Sequence, residues 1–339
     1  MMNLTHYGFD ARNFEEKGSM LPARVTQVQR ERFEAVCEEG MVWARLRKSV
    51  FSQPDADFPT VGDFVYLTFN PSGDSTIEEV CVRKSFFVRS DGWSARGRQA
   101  VAANFDYVFI VTSMNDEYRT RRLERYLSQA RESGAQPVVV LTKKDIGNPL
   151  AVDEARAAAG DIPVHAVSAK TGDGLDEVRR YLVPGATIVL LGSSGVGKST
   201  LVNALAGVEL MTTGEIREDD DKGRHTTTHR QMLMMPCGAA VIDTPGMREL
   251  GLWDSSQGVR DTFEDIDALA RTCRFRDCTH RQEPGCAIRA ALGAQDIDPD
   301  RVRSYLELSQ EADATARRAR RMEKTKKMKD IAIARRRMK

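Results

Sequence analysis

The chain has 339 residues, 41% of them apolar and 29% charged, and its 50 Lys and Arg against 49 Asp and Glu leave a formal net charge of +1. That length exceeds one ordinary domain and suits two or three, with enough apolar residues for real cores. No run of 18 apolar residues occurs and the first residues, MMNLTHYGFDARNFEEKG, lack an apolar segment, so no membrane span and no signal peptide are expected and the chain is placed in the cytoplasm.

Residues 1–20 are polar and read as a flexible N-terminal segment. From 21 to 90 the pattern changes to short strands, ARVTQV, FEAVC, VWARL, DFVYLTF and STIEEVCV, parted by Gly, Pro and acidic turns. Strands at such spacing suggest a small barrel, and five of them fit an OB-fold, a frequent platform for single-stranded nucleic acid. Arg45, Arg47, Lys48, Arg83 and Lys84 are candidates for tracking a phosphate backbone. Six cysteines in a cytoplasmic chain argue against a disulfide framework, and Cys37, Cys81 and Cys237 lie on apolar strand patterns, where buried thiols are expected.

A Gly- and Arg-rich linker, SDGWSARGRQA, leads into residues 99–252, where strands and helices alternate as in a doubly wound α/β sheet. The strand VVVLTKKD ends in Thr142, Lys143, Lys144 and Asp145, and the strand VHAVSAK ends in Ser168, Ala169 and Lys170. Asp145 can accept both the ring N–H and the exocyclic amine of guanine, which adenine cannot offer. The Lys143 stem can cover the base, and the Ala169 N–H can meet the guanine carbonyl.

The run TIVLL then reads as a buried strand, followed by GSSGVGKST and the helical LVNALAG. Gly192, Gly197, Lys198 and Ser199 satisfy G-x-x-x-x-G-K-[ST] around Ser193, Ser194, Gly195 and Val196, with Thr200 next. Strand, glycine loop and helix in that order aim backbone N–H groups and a helix N-terminus at phosphates. Lys198 is expected on the β- and γ-phosphates and the Ser199 hydroxyl on Mg²⁺.

The polar stretch VELMTTGEIREDDDKGRHTTTH reads as a switch that γ-phosphate and Mg²⁺ would order. One of Thr226, Thr227 and Thr228 is expected on Mg²⁺, and Thr227 is taken. In VIDTPG, Asp243 at a strand end is placed to hold Mg²⁺ through water, and the Gly246 N–H to meet the γ-phosphate. Where a water-orienting glutamine would follow, the chain has Met247, which cannot polarise water, so intrinsic hydrolysis should be slow. His225 is the nearest candidate for a general base or water orienter, with His229 second.

Residues 253–312 hold CRFRDCTHRQEPGC, in which Cys273, Cys278, His280 and Cys286 offer three thiolates and one imidazole. This set makes a closed tetrahedral Zn²⁺ site with no open position, hence one structural ion and no zinc chemistry on RNA. The flanking TFEDIDALAR and PDRVRSYLELSQEAD read as amphipathic helices. Residues 313–339 form a basic tail, with twelve Lys and Arg against two acids from 317 onward, a pattern suited to a polyanion.

The order of base motifs, phosphate loop, switch and DTPG resembles a circularly permuted GTPase. More closely, AANFDYVFIVTSMN, RRLERYL, GSSGVGKSTLVNAL, GRHTTTHR, DTPGMRELGLWD and CRFRDCTHRQEPGC resemble the ribosome small-subunit-dependent GTPase A family over roughly residues 20–312. One departure is Thr142, where the usual base motif begins with Asn; threonine can keep a hydroxyl contact to the phosphate-loop side but is shorter, which bears on nucleotide affinity. The resemblance implies an N-terminal OB-fold, a permuted GTPase core and a C-terminal zinc-binding helical domain, and it supports His225 as the catalytic group. It further implies a protein that binds GTP and GDP, contacts rRNA through barrel and zinc domain, and hydrolyses GTP when docked on the small ribosomal subunit late in assembly; nothing in the sequence suggests an obligate dimer, and a monomer is expected. The alternative is a GTP-gated rRNA-binding protein in which hydrolysis is incidental.

Overall fold

The computed structural model describes residues 4–10, 12, 14–29, 31–51, 58–90, 98–115, 118–212, 230–243 and 256–337. Five N-terminal strands, β1 (Leu21–Gln29), β2 (Arg32–Cys37), β3 (Gly40–Leu46), β4 (Phe64–Thr68) and β5 (Ser75–Val80), form the expected barrel, with a helical turn α1 (Lys48–Phe51) between β3 and β4. Alternation along β2 turns Phe33, Ala35 and Cys37 inward, where they meet Val25, Val65, Leu67 and Ile77 in one apolar cluster. Closure comes from β1 pairing with β4, Leu21 opposite Leu67 and Arg24 opposite Phe64.

A two-stranded ribbon, β6 (Phe86–Ser90) and β7 (Arg98–Ala103), precedes the α/β part. There follow β8 (Tyr107–Ser113), α2 (Thr120–Glu132), β9 (Gln136–Thr142), α3 (Leu150–Ala159), β10 (Val164–Ala166), α4 (Leu175–Arg179), β11 (Thr187–Leu191), α5 (Lys198–Ala206), β12 (Arg230–Met234) and β13 (Ala240–Asp243). The strands β10, β9, β8, β11 and β13 run parallel in that spatial order, with β12 antiparallel beside β13. All five residues of β11 are buried, as a strand covered on both faces requires.

The barrel and this sheet are continuous. Strand β1 pairs with β12, Gln27 opposite Gln231 and Val28 opposite Arg230, so barrel and α/β strands share one sheet. Beside this join, Arg24 is buried and donates to Gly62 O at 3.2 Å, Asn104 O at 2.8 Å and the Tyr7 carbonyl, with its guanidinium 4.7 Å from the Phe64 ring centroid. Burial lowers its pKa to about 10, with Asp106 and Asp63 opposing that shift from a distance.

Three expectations for the barrel and the α/β strands need correction. Residues of the N-terminal segment, expected to be flexible, pack on the barrel: Phe9 stacks on Phe14 at 4.3 Å, and Phe14 meets Phe64 edge-on at 5.2 Å. The Tyr66 hydroxyl accepts from Glu15 N–H at 2.9 Å and donates to Glu15 O at 2.8 Å. A polar average concealed aromatics large enough to hold the segment down. Cys237, expected to be buried, is exposed in the turn that Gly238 N–H closes onto Met235 O at 2.9 Å. The barrel cations, apart from the exposed Lys48, are occupied by acids: Arg45 by Asp74, Arg47 by Glu78, Arg83 by Asp63 and Lys84 by Asp106.

By packing, the chain divides into one unit of Met1–Val88, Ala100–Tyr118 and Ser133–Glu249 and a second of Arg89–Gln99, Arg119–Glu132 and Leu250–Lys339. The second contains α2 together with α6 (Ser256–Thr262), α7 (Glu264–Ala270), α8 (Ala287–Ala294) and α9 (Pro299–Arg337). Its core joins Val259, Phe263, Ile266, Ile288, Val302 and Leu308. Gly258 lets α6 lie on α2, since a Cβ there would stand 2.0 Å from Ser128 O. Arg301 bridges α2 and α7 by reaching Glu124 at 3.1 Å and Asp265 at 2.9 Å. The expected boundary between residues 312 and 313 falls inside a helix: α9 runs unbroken for 39 residues, because no Gly or Pro interrupts the basic sequence after Pro299.

Candidate nucleotide site and metal centre

Because β10, β9, β8, β11 and β13 are parallel, their carboxyl ends lie along one edge of the sheet, where ligands of such sheets bind. Register fixes the neighbours: Thr142 lies opposite Ser113, Leu191 opposite Ile110, and Ile242, next to Asp243, opposite Val189. This edge thus gathers Thr142–Asp145, Ser168–Lys170, Gly192–Thr200 and Asp243.

The loop after β11 depends on two glycines. Gly192 has φ 155°, and a Cβ there would stand 2.3 Å from Val111 O of β8. Gly197, at φ 93°, precedes the first residue of α5. Val196 between them is buried among Val111, Val140 and Leu201, which pins the loop to the core. The Lys198 ammonium lies 2.8 Å from Gly192 O and 2.6 Å from Ser193 O, beside the N-terminus of α5. Ser193, Ser194, Gly195, Ser199 and Thr200 complete the loop, with Ser194, Gly195 and Thr200 exposed.

At the end of β9, the Thr142 hydroxyl donates to Val196 O at 2.5 Å and also reaches Thr112 O at 3.3 Å. The base motif is thereby tied to the phosphate loop through a buried side chain. Replacing Thr142 by Val keeps the shape but strands a buried carbonyl, at a cost of about 1–3 kcal/mol. The expected result is roughly tenfold weaker binding of both GTP and GDP with unchanged preference over ATP. Equilibrium titration with fluorescent analogues checks this; unchanged affinity would show the tether to be idle.

Lys143 has φ 61°, a left-handed backbone, and its carbonyl accepts from Ile146 N–H at 3.1 Å, which turns Asp145 back over the edge. The Ser168 hydroxyl donates to Asp145 Oδ1 at 2.8 Å and accepts from Thr171 N–H at 3.2 Å. Ala169 is half-buried and Lys170 exposed behind it. Two further residues escaped the sequence reading. Asp173 pairs with Lys144 at 2.8 Å and its carbonyl accepts from Ser168 N–H at 2.9 Å. Asn203 on α5 accepts from Leu210 and Met211 N–H, both at 2.9 Å, and donates to Met211 O at 2.7 Å. The Gly-Asp-Gly after Ser168 was a visible turn signal, whereas nothing local marks Asn203. The expected His225, Thr227 and Gly246, with Thr226, Thr228, His229 and Met247, lie outside the described residues.

In the helical unit, the ligand atoms of Cys273, Cys278, His280 and Cys286 all lie within 4.8 Å of one another. Cys273 Sγ and Cys286 Sγ are 4.0 Å apart, and each is 3.5 Å from His280 Nδ1. A tetrahedron with ordinary zinc–ligand bonds has S–S edges of about 3.8 Å and S–N edges of about 3.5 Å. These residues therefore fit Zn²⁺, with Nδ1 as the imidazole ligand. Desolvation and the neighbouring thiols push Cys278 up to about 11, a crowding of acids that a dication would relieve. The Ala287 N–H donates to Cys273 Sγ at 3.3 Å, as a thiolate ligand favours. Glu283, unnoticed in the sequence, orders the loop by accepting from Thr279 Oγ1 at 2.6 Å, Thr279 N–H at 2.9 Å and Arg281 N–H at 3.0 Å. Those bonds, the Thr279 hydroxyl first, hold its carboxyl far below the usual range.

Comparison with known proteins agrees with this geometry. The RsgA GTPase family profile matches residues 80–253. A small ribosomal subunit biogenesis GTPase RsgA 2 of Listeria monocytogenes serotype 4b is 42% identical over 322 residues, covering 94% of this chain and 91% of its own. YjeQ from Thermotoga maritima is similar in structure with a TM-score of 0.63 at 27% identity, over 86% of this chain and 98% of its own. YloQ, a circularly permuted GTPase, shares the fold with a TM-score of 0.59 at 24% identity, over 89% of this chain and 98% of its own. With the family profile matching half of the chain and a relative 42% identical across most of it, the chain belongs to the RsgA GTPase family.

Proposed function

We propose that the chain binds the small ribosomal subunit and hydrolyses GTP there to assist or check late maturation, acting in the cytoplasm as a monomer. The observation that carries the GTP part is the tether from Thr142 to Val196, which holds guanine-type and phosphate-type motifs on one edge. The ribosomal part rests on the name of the Listeria relative, a small ribosomal subunit biogenesis GTPase.

In this reading Asp145, oriented by Ser168, takes the guanine ring N–H and amine. Lys143 covers the base, while Lys144, Ala169 and Lys170 complete its surround. Backbone N–H groups from Ser193 to Thr200 and the Lys198 ammonium take the phosphates, with the Gly246 N–H meeting the γ-phosphate. Ser199, Thr227 and Asp243 are the residues that would hold Mg²⁺, which when bound neutralises charge developing on the phosphates. His225 orients or deprotonates the attacking water when the chain is docked on the subunit. Zinc is structural here, and rRNA is the expected polyanion for the basic sequence of the helical unit. Among the described residues no helix is long and apolar enough to cross a membrane.

The test is GTP turnover alone, with purified small subunits and with large subunits, for the natural chain and for His225→Ala. Stimulation by small subunits only, lost in the variant, is the expected result. Equal slow rates in every mixture would leave a GTP-gated rRNA-binding protein, the reading that Met247 favours.

A further inference from the structure

The barrel cations expected to track phosphates are largely neutralised, as the pairs Arg45–Asp74, Arg47–Glu78, Arg83–Asp63 and Lys84–Asp106 show. The zinc knuckle is different. Arg271 pairs with Asp267, but among the described residues Arg274, Arg276 and Arg281 have no carboxylate partner, and all three are exposed. Of the two acids in the loop, Asp277 forms no ion pair with these arginines, and Glu283 spends its oxygens on Thr279 and on the N–H groups of Arg281 and Gln282.

Between two of these arginines stands Phe275, 41% exposed. A lone exposed phenylalanine is ordinary on a protein surface. The backbone of this one is tied down: its carbonyl accepts from Cys278 N–H at 3.3 Å, and Arg274 N–H donates to Gly285 O at 3.1 Å, so the turn is anchored on one side at a ligand residue and on the other at the neighbours of two more. The Arg274 guanidinium lies 5.5 Å from the ring centroid. Ala270, Arg271, Phe275 and Arg276 line an open cleft of about 380 Å³ together with the ligand residues Cys273, Cys278 and His280.

We infer that Phe275 is a stacking platform for an unpaired RNA base, with Arg274 and Arg276 receiving the phosphates on either side. This rests on the rRNA reading above and assigns its single-strand contact to the knuckle. A planar aromatic side chain has only two torsions to fix on binding, and stacking on it is indifferent to sequence. A duplex hides its base faces and gains only from the arginines. The carboxylates of an acidic protein segment would use the arginines equally but bring no ring of their own to Phe275, whereas every phosphate of RNA comes with a planar base, which is why RNA is favoured.

The test uses the full zinc-loaded chain and a labelled decauridine, with an RNA duplex and polyglutamate as comparison ligands. Zinc content is checked in each variant. F275A and F275L should both bind decauridine about tenfold more weakly, whereas F275W retains affinity. The dependence of log K on log salt should keep its slope in F275A, and flatten by about 0.7 in R276Q. Three outcomes overturn the inference: natural-like binding by F275A and F275L, an equal loss for duplex, or polyglutamate binding as tightly as decauridine. Small-subunit stimulation of the natural chain is measured in parallel. If it is present while F275A binds normally, only the Phe275 assignment falls; if it is absent, the ribosomal reading falls by itself.

Discussion

Stripping zinc from the full chain with a chelator, or replacing Cys286 by Ser, is expected to unfold the core of the helical unit. Cys286 is nearly fully buried, caps the start of α8, and shares one apolar cluster with Phe263, Ile288 and Tyr305. The segment from Cys273 to Cys286 contains no helix or strand of its own. Apart from the metal, it is held by a few turn bonds and by Glu283. Structural zinc in small domains contributes an apparent ~10–16 kcal/mol, as much as a whole domain's ordinary stability of about 5–15 kcal/mol. Hydrogen exchange should therefore show protection lost across Glu264–Ala270 and Ala287–Ala294, while β11 stays protected. Equal protection with and without metal would mean that the helices hold themselves.

Gly192→Ala should be the most damaging single change at the nucleotide edge. The added Cβ would stand 2.3 Å from a backbone carbonyl of β8 that cannot step aside without breaking the central pairing of β8 with β11. Overpacking of this kind costs roughly 1–3 kcal/mol of stability. Displacing the loop also misaligns N–H donors, each worth about 1.5–3 kcal/mol against a charged ligand. Affinity for GDP and GTP should fall on the order of 100-fold. Gly195→Ala is the matched control: φ is also positive, at 78°, but nothing lies within 4 Å of its Cβ. Equal affinities in the two variants would show that the close approach to Val111 is not what shapes the loop.

How much of this was legible in the sequence depended on the range of the interactions. The strands TIVLL and VVVLT are continuous apolar runs closed by turn residues, and local pattern alone places both. Four zinc ligands within fourteen positions leave little freedom, so their clustering was legible too. Cys237 was misplaced because the apolar run before it ends at Met235, and Pro236 opens a turn that puts the thiol outside. The packed N-terminal segment depended on Phe9 and Phe14 finding Phe64, a partner about fifty residues away that no window contains. Arg45 and Arg47 read as free cations because Asp74 and Glu78 come opposite them only when β3 and β5 pair. Asp145 was recognisable as a base reader, but its orientation by Ser168 needed two strand ends brought to the same edge.

The pairing of β1 with β12 also bears on how the chain comes off the ribosome that makes it. Every strand of the barrel is translated before residue 81, yet the partner for Gln27 and Val28 arrives only with Arg230 and Gln231. At ordinary synthesis rates of about 5–20 residues per second, the roughly 150 residues from the end of β5 to Arg230 take about 8–30 s. For that time a finished barrel displays an unpaired stretch of β1, the kind of edge through which nascent chains associate wrongly. A barrel produced alone would keep that edge permanently, and a GTPase part produced without the barrel would bare the matching edge of β12.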